Sequence, residues 1–202
     1  VAIFIYVGVE VGIPNFANLF MTSPEINIDP TIAGSVVGTY WFLMMIGRLC
    51  GASIGAKVSS RAMLTVVSTV GIALVLGAIF CADNILVNMP VFKSDISFGF
   101  AQVPVNVMLL ILCGLCTSVM WGGIFNLAVE GLGKYTAAAS GLFMVVVCGG
   151  GILPLIQGGV ADFAGFLNSY WVIALGLAYI LFYAAIGSKN VNTDIPTDDY
   201  EA

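Results

Sequence analysis

The chain has 202 residues, of which 60% are hydrophobic and only 8% are charged, and its net charge is −5. A soluble domain usually carries about 25% charged residues, so this chain has too few polar side chains to cover a water-facing surface. The composition predicts a protein that spans a lipid bilayer, and the lack of a basic surface excludes nucleic acid as the expected partner.

Six apolar runs are each long enough for a transmembrane helix, which needs roughly 20 apolar residues. Polar links rich in glycine and proline separate these runs, and an acidic tail, predicted to be disordered, follows at residues 189–202. The sequence therefore predicts an all-α membrane domain over residues 1–188. Its expected spans are residues 2–21, 32–54, 62–82, 103–125, 138–156 and 170–186.

The first span, VAIFIYVGVEVGIPNFANLF, places a carboxylate inside an apolar run. A charged side chain at the centre of a lipid-facing helix costs on the order of 3 kcal/mol, so Glu10 is expected to face the protein interior or a watery cavity. Tyr6, Pro14 and Asn18 share its helix face at i, i+4 spacing, and Asn15 lies at the edge. Such a mixture of donors and acceptors suits a ligand with many hydroxyls. The alternative is a buried glutamate that a neighbouring helix satisfies.

Glycines recur every four residues towards the end of the second span, at Gly47, Gly51 and Gly55. This spacing lets two helix backbones approach closely in lipid, so packing is the favoured interpretation and a mobile hinge is the alternative. The fifth span has a glycine triplet at residues 149–151, followed by a helix-kinking proline. Two glycine-rich second helices of successive triplets also suggest a 3+3 inverted repeat.

The distribution of lysine and arginine predicts the orientation, because cytoplasmic links carry an excess of both. If the spans alternate, five of the six cations lie on one side, and both ends of the chain are then cytoplasmic. Arg48, close to the end of the second span, is expected to extend to that interface. The cations on this side are Arg48, Lys57, Arg61, Lys134 and Lys189, and Lys93 lies opposite.

In the fourth span, Trp121 precedes two glycines that could break the helix, and Asn126 follows within two turns. An aromatic face can stack on the C–H face of a sugar, so Trp121 is a candidate to line a cavity, with an interface anchor as the alternative. Gln157 in the fifth span is a further polar candidate. With no histidine in the chain and Cys113 and Cys116 inside an apolar stretch, neither a metal nor a cofactor is expected.

Three stretches resemble the sugar-permease branch of the major facilitator superfamily, the L-fucose and glucose/galactose:proton symporters. YVGVEVGIPNFANLF resembles the seventh helix of that family, and YWFLMMIGRLCGASIGAKVSSRAML resembles the eighth helix with its short basic loop. MWGGIFNLAVEGLGKYTAAASGLFMVVVCGGGILPLIQGGVADFAG resembles the region of the tenth and eleventh helices. The resemblance extends over residues 1 to about 187.

The resemblance implies helices seven to twelve, the C-terminal half-bundle of a twelve-helix transporter in the bacterial inner membrane. The chain also starts inside an apolar run without an initiator methionine, which predicts a piece cut from a longer protein. An N-terminal six-helix half would supply the second wall of a central sugar site with alternating access. The proton-carrying carboxylates of the family would lie in that other half.

Carried onto this chain, the resemblance implies that Glu10, Asn15 and Asn18 face the sugar and that Trp121 takes the place of an aromatic residue near it. The family commonly has proline and threonine where this chain has glycine at residues 122–123, which alters the expected local shape. Tyr6, Asn126 and Gln157 are secondary candidates for contact with the substrate.

The leading interpretation is secondary active transport of a hexose or deoxyhexose, coupled to protons. A first alternative is an exporter of a drug or organic acid, which would have the same fold and a different substrate. A structural membrane subunit is a further alternative. An intramembrane enzyme is not expected, because the sequence contains no Ser/His, paired aspartate or metal-ligand set in its spans.

Overall fold

The computed structural model describes residues 1–82, 84–93 and 96–189, so the predicted acidic tail lies outside the described residues from position 190 onward. The described residues contain six helical spans that are long and apolar enough to cross a membrane. We refer to them as the first to sixth span. They are Ala2–Thr22, Pro30–Gly55, Ser60–Phe80, Val105–Val129, Gly133–Ala164 and Phe166–Gly187.

Capping residues explain where several spans begin and end. Asp29 Oδ1 accepts a hydrogen bond from the Thr31 N–H at 2.8 Å at the start of the second span. The hydrogen bond from the Thr31 backbone holds the pKa of the Asp29 carboxyl below its usual value. Ser59 caps the third span in the same way. Gly165, with φ of +92°, ends the fifth span because few other residues adopt that conformation.

The fourth span consists of two helices, Val105–Thr117 and Met120–Val129. The Ser118 hydroxyl, at the break between them, donates to the Leu115 carbonyl at 2.6 Å. A serine that bonds to a carbonyl of the preceding turn competes with the helical pattern and bends the helix. The break therefore precedes the glycine pair at residues 122–123, and the expectation that this pair breaks the helix is wrong.

The fifth span is longer at both ends than residues 138–156. It contains two short 3-10 segments, Gly133–Tyr135 and Val146–Cys148, and its last helix is Gly149–Ala164. The glycines at residues 149–151 and 158–159 are helical, and the chain takes up a left-handed conformation only at Gly165, after the helix has ended. The 3-10 turn directly before the glycine triplet tightens the chain where the span crosses its neighbour.

The link between the third and fourth spans forms an antiparallel β-hairpin, which the sequence analysis did not predict. Its strands are β1, Leu86–Phe92, and β2, Phe98–Pro104. The hairpin is attached to the second span, because the Phe92 N–H donates to Thr39 Oγ1 at 2.9 Å. The Phe92 ring also stacks on Phe42, with ring centroids 4.7 Å apart.

Replacing Thr39 by valine is expected to loosen the hairpin from the second span, at a cost of about 1 kcal/mol. The substitution keeps the shape of the side chain and removes the oxygen that accepts from Phe92. Hydrogen exchange of the Phe92 amide should accelerate several-fold. Thr69→Val is the matched control, because the Thr69 hydroxyl bonds only to a carbonyl of its own helix in the described contacts. Equal exchange in both variants would contradict the assigned contact.

The first span lies at the centre of the bundle and packs against the second, fourth, fifth and sixth spans. Two of the helix crossings depend on glycine. Gly149 brings the fifth span onto the backbone of Phe4, and Gly47 brings the second span onto Ser118 of the fourth. In a 3+3 repeat the first span corresponds to the fourth and the second to the fifth, so these two crossings are equivalent. The close approach agrees with the packing interpretation of the glycines.

Candidate functional site

A hydroxyl network connects the first, second and fourth spans. Pro14 has no N–H, so the carbonyl of Glu10 one turn earlier lacks its usual helical donor. The Tyr40 hydroxyl donates to this carbonyl at 3.2 Å and lies 3.0 Å from Thr117 Oγ1. The Tyr6 hydroxyl donates to the Thr117 carbonyl at 3.1 Å. Because these bonds join three helices, they fix which face the first span turns towards the second and fourth.

Glu10 forms an ion pair with Arg48 of the second span, with Oε1 and Nη2 3.1 Å apart. Glu10 lies about 12 Å inside the first span, and Arg48 lies about 10 Å before the end of the second. The expectation that Arg48 extends to the membrane interface is therefore wrong. The second span continues to Gly55, which places the guanidinium within the span and next to a carboxylate. The Glu10 side chain is only 12% exposed and that of Arg48 is 56% exposed.

A cleft of about 430 Å³ extends from this ion pair towards the link between the second and third spans. Its lining combines small residues with polar side chains. A neighbouring cavity of about 420 Å³ shares Ser60 and Asn126 with it and continues to Glu130. The cleft is lined by Arg48, Gly51, Ala52, Gly55, Ser60, Met63, Ser118, Val119, Trp121, Gly122, Gly123 and Asn126.

Trp121 lines the cleft while neighbouring aromatic rings hold its position. The edge-to-face contacts of its ring are with Tyr6, at a centroid distance of 6.1 Å, and with Phe143 of the fifth span, at 5.8 Å. The half-buried indole is thereby fixed beside the cleft. Asn126, one of the secondary candidates, is exposed, lines the same cleft and donates from Nδ2 to Ser60 Oγ at 3.4 Å.

The predicted site residues do not all meet at this cleft. Glu10 does not line the cleft itself but pairs with Arg48, which does. Tyr6 likewise contacts the cleft residue Trp121 with its ring. Asn15 is exposed and Asn18 is half-buried, further along the first span beyond Pro14. In the described part of the chain neither asparagine lines the cleft, so a contact of either one with substrate stays a prediction.

Gln157 is fully buried between the first, fifth and sixth spans. Its Nε2 donates to Ser169 Oγ at 3.4 Å, and Gly12 leaves the space that its Oε1 occupies. The structure thus places this amide within the half-bundle and not at the cleft. Such a position is suited to joining helices in a membrane, where a polar side chain bonds across a helix interface.

Sequence analysis missed Arg48 and Ser60 as cleft residues and Tyr40 as part of the network. A cation within an apolar run was the available signal for Arg48, but the run gave no information on its partner, which lies in another span. Among the described residues, no cluster of three or more His, Cys, Asp and Glu side chains could hold a metal ion. What the cleft offers chemically is hydrogen bonding, a guanidinium whose charge Glu10 balances, and an aromatic face.

Comparisons with known proteins find relatives over nearly the whole chain, although no family model matches it. The chain is 30% identical over 191 residues to the glucose/galactose transporter of Brucella abortus biovar 1 (strain 9-941), covering 94% of this chain and 42% of that protein. It is 33% identical over 92 residues to the L-fucose-proton symporter of Escherichia coli (strain K12), covering 45% of this chain and 21% of the symporter. The chain thus spans less than half the length of these relatives.

The fold matches crystal structures of FucP, the fucose:proton symporter of E. coli and a major facilitator superfamily transporter. The TM-scores are 0.76 and 0.77 at 22% and 23% identity, and the matches cover 94% of this chain and 41% and 42% of FucP. This confirms the predicted fold, a bundle of six membrane-spanning helices that matches about half of FucP. The names of these relatives confirm the predicted resemblance to glucose/galactose and L-fucose:proton permeases.

Proposed function

We propose that this chain, a relative of the major facilitator sugar permeases, forms the C-terminal half of a secondary transporter for a hexose or deoxyhexose. The observation that carries the proposal is a cleft within the membrane-spanning bundle that combines an ion pair, an amide, a hydroxyl and an indole. A sugar ring needs this combination, because its hydroxyls require donors and acceptors while its C–H face packs on an aromatic ring. The N-terminal half supplies the other wall, and alternating access exposes the cleft to each side in turn.

In this transporter Glu10, Asn15, Asn18 and Trp121 face the sugar. Glu10 and Trp121 act at the cleft, and the two asparagines extend the polar path along the first span past Pro14. Support for the asparagines comes from the exposure of Asn15 and the partial exposure of Asn18 on a central helix, because an amide that is open to the surroundings within a span is costly against lipid and suits a watery pathway. Asn126 and Tyr6 complete the polar surroundings, and Gln157 holds the fifth span to the sixth.

Transport is coupled to protons, with both ends of this chain on the cytoplasmic side of a bacterial inner membrane. The coupling is supported by a relative that is named a proton symporter. The orientation is supported by the even number of described spans and by four cations in links or at span ends that share one side, Lys57, Arg61, Lys134 and Lys189. The sites of proton uptake lie in the N-terminal half.

Uptake by the full-length transporter, which contains this chain, tests the proposed function. Cells that lack their own hexose carriers should accumulate radiolabelled D-glucose, D-galactose or L-fucose when they express it. A protonophore should abolish accumulation against a gradient while leaving exchange at equal concentrations. Export of a lipophilic drug or an organic acid, with no sugar uptake, would overturn the proposal.

Replacing Glu10 by glutamine is expected to lower sugar uptake about tenfold or more at low sugar concentration, since hydrogen bonds to charged groups contribute about 1.5–3 kcal/mol. Glutamine keeps the size of the side chain but removes the charge that holds Arg48. The amount of folded transporter in the membrane should be unchanged. Glu25→Gln is the matched control, because Glu25 is exposed in the link after the first span. Wild-type uptake by the Glu10→Gln protein would contradict the assignment of this carboxylate to the site.

A further inference from the structure

We infer that Arg48 is a further substrate-contacting residue and that its ion pair with Glu10 makes the cleft select neutral sugars over sugar acids. This inference rests on the proposed sugar transport and adds a residue and a substrate class to it. It starts from the position of a cation that lies well inside a membrane span, is more than half exposed and lines the cleft.

The rotation of the second span directs Arg48 to the cleft. The face of this helix next to Arg48 is fixed, because Gly47 packs on Ser118 and Gly51 packs on Val119 without room for a side chain. Tyr40 holds the same helix to the first span two turns earlier. The guanidinium therefore cannot turn to lipid without breaking these contacts. Exposed on the cleft side, it lies in water or against the substrate, because a cation against acyl chains is strongly disfavoured.

The guanidinium retains free donors after it has paired with Glu10. Arginine has five N–H donors in a planar fork, and the described contact to Oε1 uses Nη2 alone. A planar fork matches two oxygens that lie side by side, and adjacent hydroxyls of a pyranose offer such a pair. Trp121 and Asn126 line the same cleft. One sugar ring can thus meet a charged donor, an amide and an indole together.

The pair also accounts for selection by charge. Glu10 and Arg48 are together neutral, so a neutral ligand enters without leaving a net charge in the site. A hexuronate would compete with Glu10 for the guanidinium and would leave the Glu10 carboxylate, only 12% exposed, without its partner. Leaving a largely buried charge unpaired is costly, so Glu10 acts as the element that rejects acidic sugars.

The test measures D-galactose uptake by the full-length transporter, with D-galacturonate as competitor. Arg48→Met is expected to raise the KM for galactose about tenfold or more, and Arg48→Lys should only partly restore it because an ammonium lacks the fork. Glu10→Gln should make galacturonate a competitor that is about tenfold or more stronger than it is for the wild type. Lys57→Met, in the link after the second span, is the matched control and should keep the wild-type KM.

The swapped protein, Glu10→Arg with Arg48→Glu, separates contact with substrate from a merely structural pair. It retains an ion pair between the two spans and should fold, but its KM should stay high because the fork no longer faces the cleft. A wild-type KM in the swapped protein or in Arg48→Met overturns this inference and leaves sugar transport standing. A wild-type transporter that moves no sugar overturns both. If Arg48→Met does not fold, the KM of Arg48→Lys decides the matter, and an unchanged value overturns the inference.

Discussion

Replacing Gly149 by alanine is expected to destabilise the half-bundle by at least about 3 kcal/mol, because overpacking costs about 1–3 kcal/mol even where neighbours can move. The fifth span crosses the first at this glycine, and an added methyl would meet the backbone of Phe4. A helix backbone cannot move aside as the end of a flexible side chain can. The two spans would have to separate along a crossing that also contains Gly8 packed on Leu153.

The measurement is the temperature at which half of the full-length protein in detergent loses its monodisperse elution peak. Gly151→Ala is a control within the same glycine triplet, because a methyl at Gly151 meets nothing within 4 Å. Alanine is the better helix former by about 1 kcal/mol, so this control should be neutral or slightly stabilising. A normal midpoint for Gly149→Ala would show that the triplet serves as a hinge rather than a packing surface.

The fold could be predicted from the sequence because each span is a continuous apolar run. Length and composition are local properties, and a bilayer leaves few structures that satisfy every backbone group. The hairpin was missed because Pro90 and the polar residues of its strands are typical of a loop. What stabilises it is a long-range contact, the hydroxyl of Thr39 and the ring of Phe42, which no local pattern reveals.

Only part of the candidate site could be predicted from the sequence, because the site also depends on contacts between residues of different spans. A helical stripe shows which residues share a face of one span, and this led to Glu10 and Tyr6. Partners across spans depend on how the helices rotate against each other. That rotation is set at glycine contacts such as Gly47 on Ser118, and by hydroxyls that bond to main-chain carbonyls. The partner of the carboxylate, Arg48, was accordingly assigned to the membrane interface, although it lies about 10 Å before the end of the second span.

Replacing Tyr40 by phenylalanine is expected to cost about 2 kcal/mol, the penalty for leaving a buried polar group unsatisfied. The Glu10 carbonyl has no helical donor because of Pro14, so the Tyr40 hydroxyl is its replacement. The other contact of this hydroxyl, Thr117 Oγ1, matters less, since the threonine also bonds to the carbonyl of Cys113 at 3.2 Å. Thermal midpoints of the full-length protein measure the loss, and Tyr135→Phe, at an exposed ring, is the matched control.

A double-mutant cycle with Pro14→Ala identifies the group that the hydroxyl satisfies. Alanine at position 14 restores the N–H that a regular helix would donate to the Glu10 carbonyl. In that background Tyr40→Phe should cost less than half as much, giving a coupling of about 1 kcal/mol between residues on two different spans. An equal cost in both backgrounds would mean that the important partner of the Tyr40 hydroxyl is Thr117 Oγ1 and not the Glu10 carbonyl. If the coupling is present, Pro14 leaves the Glu10 carbonyl without a helical donor, and Tyr40 of the second span supplies the missing hydrogen bond. This bond holds the second span next to Glu10, which brings Arg48 of the same span to the carboxylate.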